Sequence, residues 1–125
     1  MEDSIRRKLL EGLELLVSEA HGTAIEHGWY PDDDEVNIPE KLALIHSEVS
    51  EALEDYRDST DTPEILQDVC VSHSGVPYGF AIELADVIIR VADLCGKLGI
   101  DLGAAVACKM DYNKSRPFRH GGKRA

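Results

Sequence analysis

The sequence has few cysteines, few aromatic residues and no long apolar run, and each shortage excludes a class of protein. Its three cysteines, Cys70, Cys95 and Cys108, form no Cys-x-x-Cys pair, so we expect neither a disulfide framework nor a zinc site. Aromatic residues make up 6% of the chain and hydrophobic residues 43%, which indicates an aliphatic core. No apolar run approaches the length of a membrane span, and the first residues lack the apolar stretch of a signal peptide. We therefore expect a cytoplasmic protein with no membrane partner.

Basic residues are also scarce. Acidic residues outnumber them by 24 to 13, which gives a formal net charge of −11. Non-specific binding of nucleic acid depends on a basic surface, so we expect no stable nucleic-acid binding. The bases are concentrated near the C-terminal end, where residues 109–125 contain six of them and one acid. An acidic body with a basic tail suggests a metal held by the body and an anion held by the tail.

The most informative segment is Gly79 to Gly99, which is almost wholly apolar but is crossed by one line of charge. A helix that is apolar on nearly every side is buried all round. Charged residues interrupt this one at steps of three and four, so they share one stripe: Glu83, Asp86, Arg90, Asp93 and Lys97. Burying charge is costly unless the charge is paired or bound to metal. We therefore interpret the stripe as a site rather than as a surface.

Hydrophobic periodicity predicts four helices in a single domain that spans residues 1–125, with a basic tail at 115–125. The expected bounds are about Ser4 to His27, Pro39 to Asp58, Gly79 to Gly99 and Asp101 to Lys114. Ser4 and Asp101 are good N-cap residues, and Pro39 is favoured at a first helical position. A long segment, 59–78, joins the second helix to the third, and periodicity does not decide whether residues 63–71 form a short helix or a strand.

The predicted fold is therefore all-α, a bundle of the four-helix type. The expected core face of the second helix is Leu42, Ile45, Val49, Ala52, Leu53 and Tyr56. The third helix is apolar on too many sides for three neighbours to cover. We therefore expect homo-oligomerisation to complete the bundle.

Two acidic motifs carry the chemistry. Glu48 and Glu51 are three residues apart on the second helix, and Glu83 and Asp86 have the same spacing on the third. Residues at this spacing share a helix face, so antiparallel packing of the two helices would bring four carboxylates together. Four acids without cysteine or histidine suit a hard cation, Mg²⁺ or Mn²⁺. A di-iron bundle would contain Glu-x-x-His motifs, and this sequence has none.

Each acidic motif also has a plainer interpretation. Glu48 and Glu51 could belong to the solvated face of an acidic helix. Glu83 and Asp86 could form an internal salt bridge, with Arg90 as the near partner. The two motifs together favour a metal site, because a divalent ion relieves the repulsion among clustered carboxylates and offers a binding point to phosphate oxygens.

Other residues could bind the remainder of a phosphorylated ligand. Lys109, Asn113 and Arg116 follow one another at steps of four and three, and Lys123 lies in the glycine-flanked tail. This set could grip a polyphosphate, or it could be a basic C-terminus that is merely solvated. Trp29, followed by Tyr30, could stack on a base or could fill the core at the end of the first helix.

Three segments in this order resemble a known family. They are residues 44–54 (LIHSEVSEALE), 79–90 (GFAIELADVIIR) and 109–123 (KMDYNKSRPFRHGGK). Together they resemble the MazG-like nucleotide pyrophosphohydrolases over roughly residues 20–124. The resemblance implies an all-α bundle, assembled as a homodimer or tetramer, that binds Mg²⁺. It also implies hydrolysis of a nucleoside triphosphate to the monophosphate and pyrophosphate.

The resemblance assigns roles residue by residue. By motif match the metal ligands would be Glu48, Glu51, Glu83 and Asp86. The polyphosphate contacts would be Lys109, Asn113 and Arg116. Either Glu48 or Glu51 would orient or deprotonate the attacking water. Many members have two adjacent acids at the start of the first motif, whereas this chain has Ser47 at the earlier position.

Two alternatives stay open at this point. One is a related bundle hydrolase that acts on another pyrophosphate bond, such as that of phosphoribosyl-ATP. The other is a non-catalytic helical module that binds a nucleotide or a partner protein. A panel of substrates would distinguish the first alternative from a nucleoside triphosphate pyrophosphohydrolase by which substrate is hydrolysed. Nucleotide binding without turnover would identify the second alternative.

Overall fold

The computed structural model describes residues 1–31, 35–58 and 66–124, and four long helices hold most of them. The elements are α1 (Asp3–Glu26), α2 (Ile38–Asp58), β1 (Cys70–Val71), β2 (Pro77–Tyr78), α3 (Phe80–Leu98), α4 (Leu102–Ser115) and α5 (Arg119–Gly122). The prediction of a mostly helical chain is confirmed. Within the described ranges, no helix combines the length and the apolar character needed to span a membrane.

The helix ends agree with the predictions except at α1 and α2. Gly99 follows α3 in the left-handed region, at φ 68°, and the Asp101 side chain caps α4 by accepting a hydrogen bond from the Ala104 amide at 3.0 Å. The predicted Ser4 cap is wrong, because α1 already begins at Asp3 and its N-cap residue makes no side-chain cap bond. Pro39 is the second residue of α2, which begins one residue earlier than expected.

Helix α3 is the centre of the bundle, and α1 and α2 both pack against it. Lys41 of α2 and Lys97 of α3 lie over the same tyrosine ring. Glu48, seven residues later in α2, contacts Arg90, seven residues earlier in α3. The two helices are therefore antiparallel, which is the packing that the acidic motifs require in order to meet.

Helix α4 follows α3 along the length of α1. His21 of α1 contacts Asp93 of α3, Leu10 lies against Gly103 of α4, and the Asp111 carboxylate pairs with the Arg6 guanidinium near the start of α1. Helices α3 and α4 are therefore both antiparallel to α1, because later residues of α3 and α4 contact earlier residues of α1. The C-terminal basic residues therefore lie beside the beginning of α1, at the opposite end from the acidic motifs.

A β-hairpin between α2 and α3 was not predicted. Cys70 pairs with Tyr78 and Val71 with Pro77 in an antiparallel ladder. The Ser72 amide donates to the Val76 carbonyl at 2.9 Å, and Gly75 turns the chain at φ 84°. Among the described residues of the candidate helix or strand at 63–71, Leu66 and Gln67 are helical, and Cys70 and Val71 form the strand. Residues 59–65 lie outside the described part of the chain.

The single chain buries little of its apolar surface. Among the described residues, the buried hydrophobic side chains are Ala52, Ala92, Leu94, Cys95 and Ala107. Much of the expected α2 core face is exposed instead: Leu42, Val49, Leu53 and Tyr56. The chain exposes 9423 Å², whereas a compact monomer of this mass exposes about 6,600 Å². The chain by itself is therefore less compact than a typical monomer of its mass.

Candidate functional site

Antiparallel packing of α2 on α3 brings carboxylates of both acidic motifs together. One oxygen each of Glu48, Glu83 and Asp86 lies within 4.8 Å of the others. We call these three residues the acid cluster. Glu51, the fourth predicted ligand, is exposed at its edge, and its carboxyl group is near enough to those of Glu83 and Glu48 to shift their pKa values. The structure therefore unites the two motifs as the sequence predicted, with three residues at the centre and Glu51 beside them.

Glu48 is the most buried member of the cluster and forms an ion pair. The Arg90 Nε donates to Glu48 Oε1 at 2.7 Å. Burial acts to raise the pKa of the Glu48 carboxyl, but the hydrogen bond and the charge of Arg90 hold that pKa below its ordinary range. The alternative of an ion pair between Arg90 and Glu83 or Asp86 within α3 is not what the structure shows, because Arg90 pairs with Glu48 and so joins α3 to α2.

Glu83 is the least satisfied member. Its Oε2 atom is buried and has no hydrogen-bond donor among the described residues. Burial, then the hydrogen-bonding interactions with Glu51 and Glu48, and then the negative charges of Glu51 and Asp86 raise the pKa of the Glu83 carboxyl to about 7. Ionised carboxylates can only accept hydrogen bonds. A hydrogen bond between Glu83 and a neighbouring carboxylate therefore forms when Glu83 carries a proton and donates it.

Asp86 experiences the same crowding. Burial, and then the negative charge of Glu48, raises the pKa of the Asp86 carboxyl above its ordinary value, against the opposing charge of Arg90. A buried orphan oxygen together with two carboxyls of raised pKa is the condition that a divalent cation relieves. The donor set contains only oxygen, so Glu48, Glu83 and Asp86 fit a hard cation such as Mg²⁺.

The acid cluster opens into a groove of about 990 Å³ that is lined by α1, α2, α3, residues 29–31 and residues 35–37. Glu48 and Asp86 line the groove, as do the cationic side chains of Lys41 and Arg90. Trp29 also lines it and is 69% exposed. The alternative that this residue fills the core is therefore wrong, and its indole is available to a ligand.

The charged stripe of α3 faces its helical neighbours, as predicted for a site. Beyond the acid cluster and Arg90, Asp93 accepts hydrogen bonds from His21 of α1 and from Tyr30. Lys97 lies over the Tyr30 ring at 5.1 Å. The stripe is thus half-buried along its length, and Arg90, Asp93 and Lys97 have partners outside α3.

The predicted polyphosphate contacts lie elsewhere in the chain. Lys109 and Arg116 both lie over the ring of Tyr112, at 4.7 and 5.6 Å. Asn113 and Lys123 are exposed at the same end of the molecule. At 1.5 Å per helical residue, about 30 Å of α1 and α3 separates this end from the acid cluster. Within one copy, therefore, these four residues do not meet the acidic motifs.

The cationic residues that line the groove beside the acid cluster are Lys41 and Arg90. Arg90 belongs to the predicted stripe, whereas Lys41 is not among the predicted site residues. A signal was present, because Lys41 precedes Glu48 by seven residues and so lies on the same face of α2. Comparison with protein-family models, with curated proteins and with solved structures gives no match for this chain.

Proposed function

We propose that the protein is a Mg²⁺-dependent nucleoside triphosphate pyrophosphohydrolase, as the resemblance to MazG-like enzymes implies. One observation carries the proposal. A cluster of three carboxylates, which includes a buried oxygen without a donor, opens into a groove that also presents cationic side chains and an exposed indole. Metal, phosphate and base could each find a suitable group in this groove.

The cation would be held by Glu48, Glu83 and Asp86. When bound there, Mg²⁺ would lower the pKa of a water and shield the charge of the phosphates. Lys41 and Arg90 line the groove beside the cluster and would stabilise the negative charge that develops on the leaving pyrophosphate. These contacts come from the same chain as the carboxylates.

Glu51 is the better candidate for the general base. Glu48 is buried and already accepts a hydrogen bond from Arg90, which reduces its basicity. Glu51 is exposed at the edge of the cluster, within hydrogen-bonding reach of Glu83. It could orient an attacking water and take up its proton without leaving its place on α2.

A homo-oligomer, either a dimer or a tetramer, is part of the proposal. The single chain exposes about 2,800 Å² more than a compact monomer of its mass. For two copies the excess is about 5,600 Å², at the upper end of the total area that obligate homodimers bury. A second copy would cover the exposed apolar residues of α2, which include Leu42, Val49, Leu53 and Tyr56. The Lys109, Asn113 and Arg116 side chains of that copy could then approach the groove of the first.

The test is the release of pyrophosphate from a panel of ribo- and deoxyribonucleoside triphosphates, with Mg²⁺, with Mn²⁺ and with EDTA. We expect at least one nucleotide to yield monophosphate and pyrophosphate only when the metal is present. Glu51→Gln should lower kcat by at least a hundredfold. Glu54→Gln, an exposed acid on the same helix, is the matched control and should leave kcat unchanged. Nucleotide binding without turnover would instead identify a non-catalytic module.

A further inference from the structure

A second network of side chains lies in the groove, apart from the acid cluster, and centres on one tyrosine. The Tyr30 hydroxyl donates to Asp93 Oδ2 at 2.8 Å. The edge of the His21 ring meets the Tyr30 ring at 5.2 Å between centroids. The ammonium groups of Lys41 and Lys97 lie 5.0 and 5.1 Å from the centre of that ring. Three helices therefore contact a single side chain that itself follows α1.

Asp93 uses both of its oxygens in this network. Besides the tyrosine hydroxyl, it accepts a hydrogen bond from His21 Nδ1 at 2.9 Å. Burial, and then the hydrogen bond and charge of Asp93, raises the pKa of Tyr30, so its hydroxyl stays a donor at neutral pH. We call Asp93, His21 and Tyr30 the tyrosine anchor. It is a fixed arrangement with no part in holding a cation.

The tyrosine anchor fixes the position of the residue before it. Gly28, at φ 82°, turns the chain at the end of α1, and the Trp29 amide donates to the Ala24 carbonyl at 3.1 Å. The backbone of Trp29 is thus held from one side by α1 and from the other by Tyr30. Its indole nevertheless stays exposed on the wall of the groove. Unlike the exposed apolar side chains of α2 that the proposed second copy would cover, this indole lies in the same groove as Glu48 and Asp86, which points to a ligand of that groove.

We propose that the tyrosine anchor positions Trp29 as a stacking platform for the nucleobase. The inference rests on the proposed function in that the ligand is a nucleotide. Asp86 and Asp93 are two helical turns apart on α3, a rise of about 10 Å. That is close to the span of a nucleotide from its α-phosphate to the far edge of its base. With the phosphates at the acid cluster, the base therefore reaches the end of the groove that the anchor holds.

Stacking on an indole depends on the π-face that every base has, so this subsite selects nucleotides over bare polyphosphate rather than one base over another. Asp93, His21 and Tyr30 are positioning residues, because they act through Trp29. Loss of the anchor therefore weakens the binding of a nucleotide and leaves that of a polyphosphate unchanged. This difference separates a positioning role from a general loss of structure.

The experiment compares two probes with Mg²⁺ present, an α,β-methylene nucleoside triphosphate and inorganic tripolyphosphate, by calorimetry. Trp29 is the single tryptophan of the chain, so its fluorescence reports stacking directly. For the wild-type protein we expect the nucleotide to quench the fluorescence and to bind at least tenfold more tightly than tripolyphosphate. Tyr30→Phe should reduce that preference at least threefold and make Trp29 more accessible to acrylamide. Tyr78→Phe, at an exposed tyrosine of the hairpin that does not line the groove, should match the wild type.

Equal affinity of the wild-type protein for the two probes would overturn the inference. So would a folded Tyr30→Phe variant with the wild-type preference. If that variant does not fold, Asp93→Asn, which retains the size of the side chain, takes its place with the same expected loss. A preference for nucleotide that depends on Tyr30 supports the subsite even if no pyrophosphate is released, a result that would count only against the proposed catalysis.

Discussion

Arg90 Nε lies 2.7 Å from Glu48 Oε1, and this pair joins α3 to α2 beside the acid cluster. The guanidinium compensates one buried carboxylate and leaves Glu83 and Asp86 to repel each other. The pair thus stabilises the interface between α2 and α3. The other carboxyl groups of the acid cluster still lack a positive charge of their own. The first two predictions follow from this division.

Arg90→Met should destabilise the protein in metal-free buffer, because Glu48 would remain buried without its donor. The Arg90 side chain is 40% exposed, so we expect a loss of about 1–2 kcal/mol in the free energy of unfolding rather than the larger cost of a fully buried pair. Urea denaturation measures it. Arg57→Met removes an exposed pair with Glu54 and should change stability by less than about 0.5 kcal/mol. Equal effects of the two substitutions would contradict the role given to Arg90.

Glu83→Gln should remove a pH dependence of stability in metal-free buffer. The folded protein holds the Glu83 proton up to about pH 7, whereas the unfolded chain releases it near pH 4.5, so the free energy of unfolding falls as pH rises through this window. Above pH 7 the variant should be more stable than the wild type by about 1–2 kcal/mol. Saturating Mg²⁺ should reverse the order. Parallel stability curves for the two proteins from pH 4.5 to 8 would be inconsistent with this account.

Gly96→Ala should destabilise the contact between α3 and α1. A Cβ at this position would lie 2.5 Å from the His21 Cβ, closer than real side chains approach. We expect a loss of about 2–3 kcal/mol. Gly12 of α1 is the matched control, because a Cβ there meets nothing within 4 Å. Gly12→Ala should therefore stabilise the protein by about 0.5–1 kcal/mol. Thermal denaturation of both variants gives the comparison.

Unfolding should depend on protein concentration, because association would cover the exposed apolar residues of α2. The midpoint of urea denaturation should rise over a hundredfold increase in concentration. Leu53→Glu, among these exposed apolar residues of α2, should weaken the assembly. Leu15→Glu, on the exposed surface of α1, is the control and should leave the assembly unchanged. A mass near the 13.8 kDa of one chain at micromolar concentration would refute an obligate oligomer.

The helices and the proximity of the two acidic motifs could be predicted from the sequence alone. Spacings of three residues fix which side chains share a face, and Gly99 and Asp101 end one helix and begin the next through local backbone chemistry. The hairpin at residues 70–78 was missed because its strands are two residues long, too short for an alternating pattern to register.

Other features depended on tertiary packing that the sequence pattern does not contain. The partner of Arg90 is on another helix, and the orphan oxygen of Glu83 is buried only once α3 has packed against its neighbours. The basic C-terminal residues matched a plausible polyphosphate motif, but α4 extends along α1 away from the groove. The four predicted contacts therefore lie far from the acid cluster of their own chain.

Product analysis with one variant tests the central claim most directly. Wild-type protein and Asp86→Asn are incubated with each nucleoside triphosphate and Mg²⁺, and the products are separated by ion-exchange chromatography. Asp86→Asn keeps the size of the side chain and removes one charge of the cluster, so it should remain folded in metal-free buffer. We predict equal amounts of monophosphate and pyrophosphate from the wild type, none of either with EDTA, and at least a hundredfold less from the variant. The absence of pyrophosphate from every nucleotide, with folded and metal-loaded wild-type protein, would contradict the account.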